Sequence, residues 1–262
     1  MKQKNNSIAA LVVCRNEERH ISACLQSLAF CDEIIVVDAF SEDRTPELAR
    51  PLCSVFFQRN FIGCNDQKEF SRTKSKSRWV LNIDADERIT DGLREEILAA
   101  TDSPGQCSGF CLPVKTFVGD HWIKHAGFWP NRKKRLFLRE AGHWDLRREP
   151  HDCVKLKGSW GRMNSAIEHF TAESTDEMRC KIMRRAELAA AGLHKENIAC
   201  GRAEAFLRSE WRRLRSLIIE GGIMEGRLGF ELAGLARLEC SLKYRRLREM
   251  KKEMESSNSQ LR

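Results

Sequence analysis

Short, continuously apolar runs alternate with helical patterns over the first hundred residues of the chain. The apolar runs predict buried strands and cover residues 7–14, 33–38, 54–58 and 79–83. Between the first two runs, the apolar residues of segment 21–28 recur at i, i+3, i+4 and i+7, which predicts a helix. This order of strands and helices predicts a mostly parallel sheet with right-handed crossovers and helices on both faces.

Two helix starts are indicated within this region. Thr45 precedes Pro46 and is predicted to cap a short helix, and Thr90 is predicted to cap another. After residue 105 only short strand-like pieces remain, and the aromatic-rich segment 116–133 between them is long for a simple connection. The chain has a helical pattern from Thr175 onward. We therefore expect an α/β catalytic domain over residues 1–174 and a helical appendage over 175–262.

The positive charge of the chain is unevenly distributed. Residues 1–175 hold 26 basic and 24 acidic side chains, a net charge of +2, whereas residues 176–262 hold 19 and 13, a net charge of +6. The last third is therefore the expected place for an acidic partner. The 11 cysteines form no CxxC pair and are odd in number, which favours a reducing compartment. No apolar run approaches the ~20 residues that span a bilayer, so we expect a cytosolic protein or one bound to a cytosolic membrane face.

Polar residues follow three of the predicted strands, where open parallel sheets bind their ligands. They are segment 15–18, Asp38 with the polar loop behind it, and the pair Asp84 and Asp86. The first of these turns lacks glycine, which excludes a GxGxxG dinucleotide site, and no P-loop is present. Two carboxylates facing one cleft are instead suited to Mg²⁺ or Mn²⁺, which completes its coordination with water and substrate phosphates. A solvated turn is the alternative explanation of this pair.

Several segments together resemble a known family. The stretches VVCRNEE, EIIVVDAFSEDRT, Gln67-Lys68 and WVLNIDADER are similar to inverting family 2 glycosyltransferases of the GT-A, or Rossmann-like, fold. The stretches GDHWIKHAGFWPNRKKRLFLR and REPHDCV resemble, more narrowly, the lipopolysaccharide-core β-1,4-glucosyltransferase branch. The resemblance implies transfer of a sugar, with UDP-glucose as the expected donor, to a lipopolysaccharide-core or related glycolipid acceptor. It also implies a divalent metal and a single displacement.

The resemblance implies donor-site roles for six residues. They are Asn16 and Glu17 beside the base, Asp38 on the uracil or ribose, Lys68 on the diphosphate, Asp84 near ribose and metal, and Asp86 as a direct metal ligand.

The resemblance places the catalytic base at Asp152, with His151 orienting it or approaching the metal. The family usually has Glu at this position, so Asp152 reaches one methylene less far. Because a displacement of ~1 Å can cost about 100-fold in rate, the shorter side chain requires a compensating shift. A second departure is Asn131, where the family usually has Asp. The alternative is that His151 and Asp152 only end a strand.

The acceptor is expected to bind near the aromatic segment. Trp122, Phe128 and Trp129 are predicted to form an apolar platform for sugar rings, and Arg135, with the basic residues before it, would suit an anionic acceptor. A core role for the aromatic residues and solvation for the charges are the alternatives.

Two apolar stripes mark the helical region. The first comprises Leu207, Trp211, Leu214 and Ile218, with arginines on the other face, and is typical either of a helix in a membrane interface or of a packed helix. The second comprises Leu228, Leu232, Leu235, Leu238 and Leu242, and packing is favoured for it. A peripheral protein on the cytoplasmic face of the inner membrane, contacting anionic lipid, is the expected location.

Rival functions have weaker support. A nucleotidyltransferase usually opens with a glycine-rich loop that the first strand end here lacks, and no motif for reading nucleic acid is present. A catalytically impaired basic binding protein is the remaining alternative.

Overall fold

The computed structural model describes residues 6–146 and 154–260, with side chains to residue 254. The chain divides into two compact units. The first contains residues 1–115 and 130–170, and the second contains 116–129 and 171–262. The predicted continuous domain over 1–174 thus differs from the observed division, because the aromatic segment 116–129 leaves the α/β unit and belongs with the helices.

The parallel half of the sheet has the predicted strands. They are β1 (Ile8–Cys14), β2 (Glu33–Asp38), β3 (Val55–Gln58) and β4 (Trp79–Asp84), in the spatial order β3-β2-β1-β4. The register pairs Cys14 with Asp38 and Val13 with Asp84. The carboxyl ends of β1, β2 and β4 therefore lie side by side, and their polar residues are brought to one edge of the sheet.

Helices cover both faces of this half. They are α1 (Ile21–Ser27), α2 (Thr45–Ala49), α3 (Cys64–Lys74) and α4 (Asp91–Asp102). Buried Leu25 and Leu93 join the core on one face of the sheet, and Leu11, Phe137 and Trp144 belong to the core on the other face. Both faces of these strands are buried, which explains why their sequences are continuously apolar and do not alternate.

One predicted helix cap is confirmed and one is wrong. Thr90 is the N-cap of α4, and its side chain accepts a hydrogen bond from the backbone of Leu93 at 3.3 Å. Thr45 instead lies inside α2, whose N-cap is Arg44. Its hydroxyl oxygen accepts a hydrogen bond from the backbone N–H of Glu17, in the loop after β1, at 2.7 Å. This oxygen therefore binds the loop and does not cap the helix.

The remaining strands extend the sheet on the far side of β4, except β9 and β10, which pair with each other in a separate two-stranded sheet. They are β5 (Glu87–Ile89), β6 (Cys107–Val118), β7 (His121–Ile123), β8 (Asn131–Leu138), β9 (Gly142–Trp144), β10 (Val154–Leu156), β11 (Ser159–Arg162) and β12 (Ile167–Ala172). The order continues β4-β8-β6-β12-β5, and β8 runs antiparallel to β4 and to β6. Three of the short strand-like pieces predicted after residue 105 fall largely within the longer strands β6, β8 and β12, and β8 brings Arg135 beside the end of β4.

The second unit is mainly helical. It contains α5 (Thr175–Lys195), α6 (Arg202–Leu214) continued by a π-helical turn (Arg215–Ile219), a 3-10 turn (Gly222–Glu225) and α7 (Arg227–Gln260). Leu232 and Leu235 are buried in its core, with Leu228 and Leu238 packed against them, which confirms packing for the second stripe. Within residues 6–146 and 154–260, no helix combines the length and apolar character that crossing a bilayer demands.

Candidate active site

The loops after β1 and β2 are joined by side-chain hydrogen bonds. The hydroxyl of Ser41 accepts from the backbone N–H of Asn16 at 2.8 Å, and the amide oxygen of Asn16 accepts from the backbone N–H of Glu42 at 2.9 Å. Asn16 has a φ of 56°, in the left-handed region that Asn tolerates better than most residues. The backbone N–H of Glu17 is held by Thr45, as described above. The two strand ends thus form one ordered edge.

Asp38 occupies the floor of this edge. Its carboxylate is fully buried and accepts from the hydroxyl of Ser41, from the backbone N–H of Ser41 at 2.9 Å and from the side-chain amide of Gln58 at 3.3 Å. The thiol of Cys14 donates to the same carboxylate at 3.6 Å. Burial, followed by the charge of Asp38, raises the pKa of Cys14, so the thiol stays protonated and donates. Several donors therefore hold the Asp38 carboxylate in a fixed orientation.

Asp84 lies at the end of β4 between two cations. Lys68 Nζ is 3.2 Å from one carboxylate oxygen, and Arg135 Nη2 is 2.7 Å from the other. Burial raises the pKa of this carboxyl, but the charges of Arg135 and Lys68 outweigh it and hold the pKa well below its usual value. The Asp84 side chain is nevertheless 39% exposed. Asp84 is therefore anionic and oriented while one side of it remains open.

Behind Asp84, a second carboxylate completes the cluster. Glu87 is 1% exposed, contacts Arg135 Nη2 at 2.5 Å and accepts from the backbone N–H of Asp84 at 2.9 Å. Burial, then repulsion from Asp84, raises the pKa of Glu87 against the opposing charge of Arg135. The amide of Asn82 lies alongside, and with its oxygen facing the cations it accepts from Lys68 at 3.3 Å and from Arg135 at 2.7 Å.

Arg135, predicted from the sequence to bind the acceptor, is buried within this acidic cluster. Its side chain is 3% exposed and its guanidinium is bonded to Asp84 and Glu87. The basic run around it led to the sequence prediction, but residues 132–134 are exposed whereas Arg135 begins the buried part of β8. The ammonium group of Lys68, which is predicted to contact the diphosphate, pairs with Asp84 in the structure.

Asp86 is paired with a residue that sequence reasoning missed. The Nε2 atom of His169 lies 3.2 Å from Asp86 Oδ2, and the backbone N–H of Phe170 donates to the carbonyl of Asp86 at 2.9 Å. This contact follows from the antiparallel pairing of β12 with β5, in which His169 lies opposite Glu87. Although burial lowers the pKa of His169, the hydrogen bond to Asp86 and the surrounding carboxylates raise it.

The donor atoms at Asp86 and His169 suit a divalent cation. Among the residues the structure describes, no group of three or more His, Cys, Asp or Glu side chains is arranged to hold a metal. Mg²⁺ and Mn²⁺ commonly take one or two protein ligands and fill their coordination with water and substrate phosphates, so a two-residue set is sufficient. A cation bound at Asp86 would displace any proton from the ring nitrogen of His169, because a ligating imidazole is neutral.

Comparison with known proteins identifies the family. The sequence model for the family described as glycosyl transferase family 2 matches residues 9–158, more than half of the chain. This range contains β1 to β4 and all of the acidic strand ends described above. The chain belongs to glycosyl transferase family 2. It is therefore a glycosyltransferase, and the nucleotidyltransferase and the non-catalytic binding protein considered from the sequence are disfavoured.

Relatives and solved structures agree with this assignment. The lipopolysaccharide core biosynthesis glycosyltransferase LpsC of Rhizobium meliloti is 30% identical over 66% of this chain and 67% of its own length. An uncharacterized glycosyltransferase of Rickettsia typhi is 25% identical over 93% of this chain and 87% of its own length. A mannosyltransferase of Pyrobaculum calidifontis, in complex with GDP-Man and Mn²⁺, has a TM-score of 0.51 at 14% identity and covers 87% of this chain and 73% of its own. This last likeness supports the GT-A fold.

The other predicted site residues of this family 2 glycosyltransferase lie elsewhere. Asp152 and His151 fall outside the described residues. Trp122 and Trp129 belong to the second unit, where their rings are in edge-to-face contact at a centroid distance of 5.5 Å. Both are partly buried. The structure thus brings together Asn16, Glu17, Asp38, Lys68, Asp84 and Asp86 in the first unit.

Proposed function

We propose that this glycosyltransferase uses a UDP-sugar, with UDP-glucose as the expected donor, and transfers the sugar with inversion. The observation that carries the proposal is the alignment of Asp38, Asp84 and Asp86 at one edge of the parallel sheet. Carboxylates in this arrangement accept hydrogen bonds from base and ribose groups and bind a cation, but they repel a bare diphosphate. The likeness to nucleotide-sugar enzymes supports the same conclusion.

Base and ribose are expected at the first two strand ends. Asp38 is oriented by Ser41 and Gln58 but fully buried, so it would accept a hydrogen bond from the uracil or ribose once one of these two side chains moves aside. Asn16 and Glu17 line the adjoining loop, whose backbone is fixed by Ser41 and Thr45. Preorganisation of this kind reduces the ordering cost of nucleotide binding.

A divalent cation, Mg²⁺ or Mn²⁺, is proposed at Asp86, with His169 as the second protein ligand and Asp84 nearby. When bound, the cation would offset the negative charge that grows on the departing diphosphate. Lys68 and Arg135 meanwhile keep Asp84 ionised and oriented toward the ribose side. Lys68 is close enough to Asp84 to serve the diphosphate as well if its ammonium group shifts on donor binding.

Asp152 is proposed as the base. An acceptor hydroxyl oxygen attacks the anomeric carbon, the bond from that carbon to the diphosphate oxygen breaks, and the Asp152 carboxylate takes the hydroxyl proton. His151 is proposed to orient this carboxylate. One displacement at the anomeric carbon inverts its configuration.

The acceptor is proposed to be a lipopolysaccharide-core or related glycolipid, with Trp122 and Trp129 stacking on its sugar rings. The similarity to LpsC supports this class of acceptor. We further propose that the enzyme works on the cytoplasmic face of the inner membrane. The described cysteines are free, which suits a reducing compartment.

Calorimetric titration with UDP tests the donor site. We expect Asp86→Asn to weaken Mn²⁺-dependent UDP binding at least tenfold, because the substitution removes an anionic ligand. Asp91→Asn is a matched control, since its carboxylate is 90% exposed on α4 and should leave binding unchanged. Equal UDP affinity in the wild type and in Asp86→Asn would exclude the proposed metal role.

The base is tested separately. Asp152→Asn should retain UDP binding but lose transfer to acceptor, measured with a panel of UDP-, GDP- and ADP-sugars. Normal transfer by this variant would remove Asp152 from the mechanism.

A further inference from the structure

Helix α6 and its π-helical continuation expose large apolar side chains. Leu207, Trp211, Leu214 and Ile218 are 67%, 58%, 45% and 70% exposed. At about 100° per residue these four side chains lie within about 60° of one another around the helix. The first apolar stripe of the sequence is therefore intact as a surface and is not part of the core of the second unit.

The opposite side of the same helix carries small residues. Ala205, Ser209 and Ser216 are 5%, 3% and 2% exposed, and α6 packs along α7. A helix that only needed to be packed would bury its leucines and its tryptophan, because their burial is far more favourable than burial of Ala and Ser. The apolar residues of α6 consequently face away from the helices that hold it.

The chain that follows α6 exposes further large apolar side chains. Ile219, Ile223 and Met224 are 66%, 61% and 72% exposed. We use the term exposed apolar surface for residues 207, 211, 214, 218, 219, 223 and 224 together. Seven large apolar side chains this close in sequence exceed the scattered exposure that is normal for a protein surface.

Positive charge accompanies the exposed apolar surface. Segment 202–219 contains five arginines and two glutamates, a net charge of +3. The side chains of the four arginines at 208, 212, 213 and 215 are 47–55% exposed. Two of their acidic partners, Glu210 and Glu220, are only 26% and 13% exposed. The charge presented to a partner is therefore mainly cationic.

An apolar strip with Trp and arginines at its side matches an anionic bilayer surface. The apolar side chains enter the boundary between headgroups and acyl chains, and the guanidinium groups meet lipid phosphates. A second copy of the chain fits less well, because a two-fold interface would place the same arginines against each other. We propose that the exposed apolar surface docks this protein onto membranes containing anionic lipid.

Vesicle flotation tests this proposal with the full chain and without any sugar donor. The wild type should float with vesicles of phosphatidylglycerol and phosphatidylcholine, and binding should fall as salt is raised. The double variant Leu207→Ser/Trp211→Ser should bind at least tenfold more weakly. Leu188→Ser is the matched control, since Leu188 is 44% exposed on α5 of the same unit and lies outside the surface.

Charge is tested by Arg212→Glu/Arg215→Glu, for which we expect weaker binding to anionic vesicles and little effect on pure phosphatidylcholine. The serine variants should keep the wild-type thermal midpoint and UDP affinity, because the altered side chains are exposed and lie outside the catalytic residues. The charge variant also removes both cationic partners of Glu220, so its flotation is measured below its own thermal midpoint. Equal flotation of the wild type and the double variant overturns the proposal. So does a wild-type dimer in light scattering that becomes monomeric in the double variant, since this assigns the surface to a second copy.

Discussion

Replacing Arg135 by Met tests whether the buried cation holds the acidic cluster together. Arg135 is 3% exposed, and its Nη2 atom lies 2.7 Å from Asp84 and 2.5 Å from Glu87. Met has a similar apolar length but carries no charge, so the variant leaves Glu87, which is 1% exposed, without its cationic partner. Removing one partner of a buried ion pair typically costs about 3–5 kcal/mol, because the remaining carboxylate must either stay charged in the core or take up a proton. Asp84 adds little to this loss, since it is 39% exposed and also contacts Lys68.

Urea unfolding monitored by circular dichroism measures this cost. We expect the free energy of unfolding to fall by about 3–5 kcal/mol in Arg135→Met. The double variant Arg135→Met/Glu87→Gln should be more stable than Arg135→Met, because no uncompensated carboxylate remains in the core. Lys133→Met is the control on the same strand; Lys133 is exposed, so its change should stay within about 0.5 kcal/mol.

Two results would refute this reasoning. One is a free energy of unfolding in Arg135→Met that equals the wild-type value. The other is strict additivity of the Arg135 and Glu87 substitutions, since residues that share a buried ion pair must be coupled. If Arg135→Met does not fold, Arg135→Lys provides the same test at a smaller loss, because an ammonium group cannot bridge both carboxylates in the way the guanidinium does.

Two further predictions concern other parts of the molecule. Burial raises the pKa of Glu225, but hydrogen bonds from His121 and His125 outweigh it and lower the pKa to about 2 from 4.5. The stabilisation by ionised Glu225 is therefore complete above pH 4.5 and lost as the pH falls toward 2. Glu225→Gln should lower the free energy of unfolding at pH 7 by about 1–3 kcal/mol. Between pH 4.5 and 2 the stability of this variant, followed by circular dichroism, should change less than that of the wild type. Leu93→Ala, which empties a fully buried site on α4, should lower the urea-unfolding free energy by about 2–5 kcal/mol, and a loss below 1 kcal/mol would contradict the core assignment.

The parallel half of the fold could be predicted because each of its signals is local. The runs at β1, β2 and β4 are apolar on both faces, and the acidic residues follow them directly in sequence. In a parallel sheet the carboxyl ends of the strands lie at the same edge, which brings Asp38 and Asp84 to that edge without any knowledge of distant contacts.

The contacts that complete the site are not local. His169 reaches Asp86 only because β12 pairs with β5 across 83 residues of sequence. Arg135 reaches Asp84 from a strand that runs antiparallel to β4, and nothing in the basic run around it distinguishes the inward side chain from its neighbours. Thr45 has the sequence context of a helix cap, yet its hydroxyl bonds a loop 28 residues away. In each case a contact between residues distant in sequence decides the position of the side chain.

The exposed apolar surface on α6 shows a different limit of sequence reasoning. The spacing of Leu207, Trp211 and Leu214 establishes that one face of the helix is apolar, but the same spacing serves a core and a membrane interface equally. What decides the direction is the opposite face, where Ala205 and Ser209 are small enough for α7 to approach closely. A periodic apolar pattern therefore indicates a docking face only when the residues on the opposite side of the helix pack it against its neighbours. In α7, by contrast, the apolar side is itself the packed side, since Leu232 and Leu235 are buried within the second unit.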